Sequence, residues 1–318
     1  MANCISCGRE LRTSLFGSRG NVCQDCRSNA IDMTTPGSTA TPTPRPRALS
    51  RGYPPVTTVL VGINAAVFVM MLFSGVPLEN PTIEQLLKWG ADWGPLSLGP
   101  QPWRLLTSNY LHIGIIHIGL NMWCLWNLGA LAERIFDRWT YVLTYTACGI
   151  AGSLGSLWWH PRVVGAGASG AIFGLAGALI TALYLGKLPI PKQATRGTMK
   201  SLVAFAGYNL LFGAVGANID NSAHIGGLLT GLILGALLAR HLTDIPEVRS
   251  RWNWGIFAVT AVILVLFFNA LRHANSSVPP LPSARMDVES IRAHAEQPLL
   301  SSLFTITGRQ DLGVVSAN

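Results

Sequence analysis

The sequence is poor in charged residues. Asp, Glu, Lys and Arg make up only 12% of its 318 residues, roughly half the share found in soluble domains, which argues against an ordinary soluble protein. It also lacks a continuous apolar segment near its start, because residues 1–55 are polar and contain four of the six cysteines. We therefore expect no signal peptide.

Hydrophobic residues are abundant instead, at 49% of the chain. From Val56 onward, apolar stretches recur that are each close to the ~20 residues needed to cross a hydrocarbon core about 30 Å thick. They lie at 56–76, 112–132, 139–159, 169–186, 201–217, 223–239 and 255–271. This pattern predicts an all-α polytopic membrane protein with seven transmembrane helices.

The chain is predicted to have six parts. In order, they are a compact cysteine-containing head at 1–29, a flexible linker rich in Thr, Pro and Ser at 30–55, a core of six spans at 56–240, a cytoplasmic loop at 241–254, the seventh span at 255–271 and a polar tail at 272–318.

The net charge of +8 is typical of either a nucleic-acid-binding protein or the cytoplasmic loops of a membrane protein. With the N-terminus in the cytoplasm, the basic residues concentrate in the inner segments, whereas the outer loops 160–168 and 217–222 hold only Arg162. Topology explains the charge, so we expect no nucleic-acid partner. No organelle-targeting segment is evident, which favours a multi-pass protein of the plasma (cell inner) membrane with a cytoplasmic N-terminus.

Residues 77–111 form the first outer segment, which contains Trp89, Trp93 and Trp103. Because Trp prefers the headgroup region, we expect this segment to lie in the outer membrane interface. An ordinary extracellular loop is the alternative.

Polar residues inside spans are costly and are candidates for function. Ser169 lies in the sequence GASG, where the outer loop 160–168 enters the fourth span. The N-terminus of a helix offers unpaired N–H groups and a partial positive charge, which suit a developing oxyanion. His224 opens the sixth span from the same face, and imidazole can activate a serine hydroxyl as a base. The pair therefore predicts Ser169 as nucleophile and His224 as base.

Small residues should let these two spans approach closely. Gly170 and Gly174 lie on one face of the fourth span, and Gly227, Gly231 and Gly235 lie on one face of the sixth.

His117 and Asn121 are four residues apart and share one face of the second span. Both can donate hydrogen bonds to a tetrahedral oxyanion. The alternatives are interhelical polar packing and a metal site, although a carboxylate or a third suitably spaced His is missing. His112 belongs to the same apolar stretch. Asp220 is expected to be a loop or cap residue, so a Ser–His dyad is favoured over a triad.

The cysteines form two groups. Cys4, Cys7, Cys23 and Cys26 have the CxxC–x15–CxxC spacing of a zinc site, and a head of this size needs the metal to fold. Disulfides are the alternative, disfavoured in a reducing cytoplasm. We expect a small structural zinc ribbon that contacts a cytoplasmic protein. The remaining two, in apolar segments, are expected to be packing residues.

Together these residues resemble the rhomboid intramembrane serine proteases, over about residues 56–240. The resemblance implies a six-helix bundle plus a seventh transmembrane helix, cleavage of transmembrane protein substrates in the lipid bilayer, and no cofactor for catalysis. It implies Ser169 and His224 as catalytic residues, with His117 and Asn121 at the oxyanion. It further assigns supporting positions to Trp103 and Arg104 in the first outer segment, to Glu133 after the second span, and to His112, Gly167, Gly170, Gly227 and Gly231.

One position departs from the resemblance. Some family members carry Tyr four residues after the serine, stacked on the base histidine, and this chain has Phe173 there. A Phe ring can still pack on an imidazole face.

Two other functions remain open. A catalytically inactive rhomboid-like protein would bind membrane clients without cutting them, but such relatives typically lack the serine or the histidine. A small-solute transporter would place polar residues along a path, usually with repeated halves, and no such repeat is visible.

Overall fold

The structure, a computed structural model, describes residues 2–3, 10–11, 54–188, 191–215 and 219–275. The chain forms two compact units, Met1–Gly52 and Tyr53–Asn318. In the first unit, the strands β1 (Ala2–Asn3) and β2 (Glu10–Leu11) pair in antiparallel fashion. The four cysteines predicted to bind zinc lie outside the described residues, as do the predicted linker up to residue 53 and the predicted polar tail from residue 276.

The second unit is helical, as predicted. In chain order its helices are α1 (Pro55–Phe73), α2 (Ile83–Trp89), α3 (Gly94–Ser97), α4 (Arg104–Thr107), α5 (Ile115–Ile135), α6 (Arg138–Trp159), α7 (Ser169–Leu185), α8 (Lys192–Val215), α9 (Asn221–Ala239) and α10 (Pro246–Asn275), with a 3-10 turn at Ser108–Tyr110.

Each of the seven apolar stretches corresponds to a long helix, but the helices differ in apolar character. Among the described residues, five are long and apolar enough to cross a membrane: α1, α5, α9, α10, and α8 from Gln193. Helix α7 is apolar but has 17 residues, and α6 has 22 residues with many Thr, Ser and Tyr. Both are largely buried by other helices, so neither needs a continuous lipid-facing surface.

Two helices begin well before their predicted apolar stretches. Helix α8 starts at Lys192 rather than at 201, and α10 starts at Pro246, inside the predicted loop 241–254. Hydropathy registers only the apolar part of a helix, whereas a polar segment without an internal proline can extend the same helix. Pro is well tolerated in a first helical turn. The 30 residues of α10 therefore extend about 45 Å at 1.5 Å per residue, longer than a bilayer core.

The second apolar stretch is also displaced. Helix α5 begins at Ile115, so the prediction that His112 lies inside this span is wrong. The backbone N–H of Ile115 donates to Oε1 of Glu79 at 3.1 Å. That carboxylate satisfies one of the N–H groups left unpaired in a first helical turn.

Glu133 was predicted to follow the second span, but it lies in the last two turns of α5. Its Oε1 accepts hydrogen bonds from the backbone N–H of Thr57 at 2.6 Å and from the Thr57 hydroxyl at 2.7 Å. Glu133 thus joins the end of α5 to the start of α1. It is distant in sequence from the predicted catalytic residues.

The first outer segment is an ordered structure built around Arg104. This side chain is buried, and its Nη1 donates to the carbonyl oxygens of Leu87 at 2.7 Å and Ala91 at 2.9 Å. Its guanidinium carbon lies 4.8 Å from the centre of the Trp103 ring, a cation–π contact. Arg104 therefore fixes the chain between α2 and α3.

Trp93, predicted for the membrane interface, is a core residue with 5% of its surface exposed. Its Nε1 donates to the carbonyl oxygen of Arg162 at 3.3 Å, and the neighbouring Gly94 N–H donates to Pro161 at 2.9 Å. These contacts connect the first outer segment to the 160–168 loop.

Helices α7 and α9 pack through their backbones. A methyl group on Gly227 would collide with the carbonyl oxygen of Gly170, and one on Gly231 would collide with that of Gly174. The small-residue faces predicted from the sequence therefore face each other.

Replacing Gly231 with alanine should destabilise the bundle, because the obstructing atoms belong to the backbone of α7. Overpacking of this kind typically costs about 1–3 kcal/mol, so the thermal midpoint should fall by roughly 2–10 °C. Gly207→Ala is the matched control, since nothing lies within 4 Å of the added methyl group. Equal midpoints for the two variants would contradict the backbone contact.

Candidate active site

A cleft of about 2270 Å³ lies between the outer segments and helices α5, α7 and α9. It is lined by Ser169, His224, His117 and Asn121. The structure thus brings the predicted nucleophile, base and oxyanion donors to one cavity, although they come from three helices.

Ser169 is the first residue of α7. The backbone just before it is held by the Gly167 N–H, which donates to the carbonyl oxygen of Ser108 at 2.9 Å. Gly167 has φ of +140°, and a methyl group there would lie 2.9 Å from Cε1 of His117. Only glycine lets this backbone come so close to the imidazole. A methyl at the same position would lie 3.8 Å from Ser169 Oγ, so the hydroxyl and the His117 ring are neighbours.

His117 has a hydrogen bond that selects its tautomer. The backbone N–H of Ile113 donates to His117 Nδ1 at 3.4 Å, which requires an unprotonated Nδ1 and, in a neutral ring, a proton on Nε2. A methyl on Gly167 would be 3.0 Å from that Nε2. The donor of the neutral ring therefore faces the backbone that precedes Ser169.

Asn121 is buried one helical turn later, and its Nδ2 donates to the carbonyl oxygen of His117 at 2.9 Å. An amide nitrogen carries two hydrogens, so a second one remains for an oxyanion. Within the described residues, no group of three or more His, Cys, Asp or Glu gathers as a metal site.

His224 is buried between an aromatic ring and a polar side chain. The ring of Phe173 stacks on it with centroids 4.2 Å apart and planes inclined by 6°. Its Nδ1 lies 3.3 Å from Oδ1 of Asn221. If Nδ1–H donates to this oxygen, Nε2 keeps a lone pair and can accept a proton.

Asp220 is the N-cap of α9, where its side chain accepts from the backbone N–H groups of Ser222 and Ala223. Among the described residues, the imidazole of His224 hydrogen-bonds to Asn221 and not to the Asp220 carboxylate or to Ser169 Oγ; the one bond between His224 and Asp220 is the backbone bond from the His224 N–H to the Asp220 carbonyl at 3.4 Å. Catalytic hydrogen bonds are often long before substrate binds, so what the structure provides is a shared cleft and close-packed helices.

The supporting residues separate into two groups. Gly167 and Gly170 line the cleft, whereas Trp103, Arg104 and Glu133 do not. His112 is buried with its ring 5.1 Å from that of His117, and burial lowers its pKa to about 3, keeping it neutral.

Of the polar residues of the cleft that sequence reasoning missed, two bear directly on the arrangement of the site. Asn221 lies three residues before His224 at the start of a helix, so the i, i+3 spacing was available as a signal. Asp92 comes from the first outer segment and is 2% exposed. No local pattern marks it, because its neighbours are distant in sequence.

Known proteins align with the part of the chain that forms this cleft. Residues 99–241 match a family model described as Rhomboid domain. "Rhomboid protease GluP" of Bacillus subtilis (strain 168) is 37% identical over 187 residues, covering 59% of this chain and 35% of that protein. "Rhomboid protease AarA" of Providencia stuartii is 28% identical over 233 residues, covering 66% and 80%.

A plant relative is covered over most of its length. "RHOMBOID-like protein 6, mitochondrial" of Arabidopsis thaliana is 37% identical over 231 residues, which cover 66% of this chain and 74% of the relative. The residues matched by the family model, 99–241, include α5, α7 and α9 together with the segments between them. The protein is a member of the rhomboid family.

Proposed function

We propose that this protein is an intramembrane serine endopeptidase that hydrolyses peptide bonds of membrane-spanning substrates. Ser169 Oγ attacks the scissile carbonyl carbon while Nε2 of His224 accepts the hydroxyl proton. Nε2–H of His117, the Asn121 amide and backbone N–H groups at the start of α7 donate to the oxyanion. When the intermediate collapses, the imidazolium returns the proton to the leaving amine. Water then hydrolyses the acyl-enzyme by the same route.

The observation that carries this proposal is the pair of imidazole hydrogen bonds. Asn221 favours His224 with its Nε2 unprotonated, and Ile113 favours His117 with its Nε2 protonated. The first suits a proton acceptor and the second suits an oxyanion donor. Two histidines in one cleft, with hydrogen-bond partners that favour opposite tautomers, match the two roles that acyl transfer requires.

The substrate class follows from the position of the cleft. Helices α5 and α9 are apolar enough to span a membrane, and the cleft lies between their ends and the outer segments. A substrate would therefore present its scissile bond in or beside the bilayer.

Incubating the purified protein in lipid vesicles with a labelled single-span peptide tests the activity. Two fragments that appear at one bond, and that do not appear with Ser169→Ala, would support an endopeptidase. A catalytically inactive family member that binds membrane clients would retain the peptide uncut, and this outcome would reject the proposed activity.

We place the N-terminus in the cytoplasm and the C-terminal tail outside a plasma membrane. The Lys and Arg distribution supports this orientation. Helix α8, for example, begins with a basic segment containing Lys192, Arg196 and Lys200, which fits the cytoplasmic side.

We further propose that Cys4, Cys7, Cys23 and Cys26 hold a structural zinc ion as thiolates. The metal would fix the fold of the head and supply no catalytic chemistry. Four thiolates are a preferred donor set for structural zinc. The paired strands β1 and β2 lie on either side of Cys4 and Cys7 in the sequence.

Metal analysis of the purified full-length chain should give close to one zinc per protein. Cys4→Ser should lower that ratio sharply while peptide cleavage persists, because the active-site cleft belongs to the second unit. Cys124→Ser, which changes a cysteine of helix α5, is the matched control and should retain zinc. Equal zinc contents for both variants would reject the site.

A further inference from the structure

The carboxyl group of Asp92 lines the cleft without a hydrogen-bonding partner. It is 2% exposed, and within the described part of the chain neither Oδ1 nor Oδ2 has a partner at hydrogen-bonding geometry. The nearest donors are the Ser97 hydroxyl and the Trp93 N–H, which are joined to each other at 3.0 Å, and both oppose the rise in the Asp92 pKa without offsetting it. A buried ionised carboxylate without a donor is strongly unfavourable, whereas a neutral carboxylic acid is tolerated.

A second buried group faces the same space. Ser156 of α6 is 2% exposed, and its Oγ also lacks a described partner. A methyl group placed on Gly165 would lie 3.8 Å from Ser156 Oγ and 4.0 Å from Asp92 Oδ2. The two oxygens therefore converge beside Gly165, where a neutral carboxyl can donate toward the hydroxyl, directly or through one water.

The backbone of Asp92 is joined to the segment that leads to the nucleophile. Its N–H donates to the Gly165 carbonyl at 2.9 Å, and the Gly165 N–H donates back to the Asp92 carbonyl at 2.8 Å. Gly165 precedes Ser169 by only four residues. Movement of Asp92 would therefore be transmitted to the start of α7.

The charged groups that act on Asp92 are few. Asp220, the N-cap of the helix that carries His224, is near enough to repel an ionised Asp92, and Arg104 of the same outer segment attracts it. Burial raises the pKa of Asp92 to about 7; Asp220 adds to the rise, while Ser97 and Arg104 oppose it. Asp92 thus stands between the segment before Ser169 and the cap of α9, and a negative charge on it would disturb both.

We propose that Asp92 is a positioning residue that works as a neutral carboxylic acid, keeping the Ser169 segment and the Asp220 cap in register. This inference rests on the proposed protease function. Ionisation would weaken the arrangement, so activity should decline as pH rises through neutrality. For a group with a pKa near 7, the neutral fraction falls about tenfold between pH 6 and pH 8.

The test is the pH profile of kcat/KM for cleavage of a single-span peptide. The wild-type profile should have an alkaline limb on which activity falls about tenfold from pH 6 to pH 8. Asp92→Asn should remove this limb, because the amide keeps the shape and a donor but does not ionise. Asp137→Asn is the matched control, since it changes an aspartate at the N-cap of α6, and it should keep the limb.

Ser156→Ala provides an independent second variant. The Ser156 hydroxyl can accept from the neutral acid or donate to the carboxylate, and the charge-assisted bond to the carboxylate is the stronger of the two. Removing the hydroxyl therefore disfavours the ionised form more than the neutral one and should shift the alkaline limb to higher pH. If Asp92→Asn does not fold, the shift of the alkaline limb in Ser156→Ala is sufficient to test the proposal. A purely structural Asp92 would alter the thermal midpoint of Asp92→Asn but leave the limb in place. An alkaline limb that is absent from the wild type, or unchanged in both variants, overturns the proposal.

The two proposals can fail separately. Cleavage that persists in Ser169→Ala would refute the proposed protease mechanism itself. Ser169-dependent cleavage with an unaltered alkaline limb in the variants removes only the role of Asp92.

Discussion

Replacing Ser169 with alanine is expected to reduce cleavage of a single-span substrate to background, a loss on the order of 10⁶-fold in kcat. In the proposed mechanism the variant lacks the oxygen atom that forms the acyl-enzyme. His224→Ala should cause a comparable loss, because an unactivated serine hydroxyl is a weak nucleophile at neutral pH. The double variant should be no worse than either single one, since the two residues act as one unit.

The fold should survive these changes, which separates a chemical effect from a structural one. Ser169 makes no described side-chain hydrogen bond. The thermal midpoint of the Ser169→Ala variant should therefore match that of the wild type. Asp220→Asn is the control for a triad: asparagine also caps helices well, and most activity should remain. Wild-type turnover by Ser169→Ala would refute the mechanism, and a loss with Asp220→Asn as severe as with His224→Ala would replace the dyad by a triad.

The second large effect is expected at the oxyanion donors. Asn121→Ala should lower kcat by about 10²–10³-fold, which corresponds to roughly 3–4 kcal/mol of transition-state stabilisation. The remaining donors, His117 and the backbone, would still act. The KM should change little, because the hydrogen bond strengthens only as negative charge develops on the carbonyl oxygen.

Asn127→Ala is the matched control for this prediction. Asn127 lies on the same helix and its Nδ2 donates to the carbonyl four residues earlier, at 2.7 Å, as that of Asn121 does at 2.9 Å. It is exposed and does not line the cleft. Both variants lose the same type of helix contact, so a selective loss of kcat in Asn121→Ala identifies the oxyanion role. Equal kinetics in the two variants would refute it.

The helical architecture could be predicted because the length of each apolar stretch can be read directly from consecutive residues. The approach of α7 to α9 was also predictable, since Gly227 and Gly231 repeat at helical spacing. Helix ends were less accessible: Ile115 begins α5 because the Glu79 carboxylate reaches its N–H, and the polar start of α8 carries no hydropathy signal. Boundaries depend on contacts that a window of sequence does not contain.

The same limit applies to the candidate site. Ser169, His224, His117 and Asn121 stand out as polar residues within apolar stretches, so composition alone draws attention to them. Asp92 does not stand out, because an aspartate in an outer segment is usually solvated. Its burial arises from the pairing with Gly165, 73 positions away, which only the assembled fold creates.

The backbone contact between α7 and α9 has a consequence for how the family can diversify. Where glycine meets a carbonyl, the separation of two helices is set by van der Waals contact between their backbones rather than by side-chain rotamers. Substitutions at lipid-facing positions on either helix therefore leave this backbone contact, and with it the separation of the helices that carry Ser169 and His224, in place. Selection on the spacing of Ser169 and His224 would fall on four or five glycines, while selection for the membrane environment acts on everything around them.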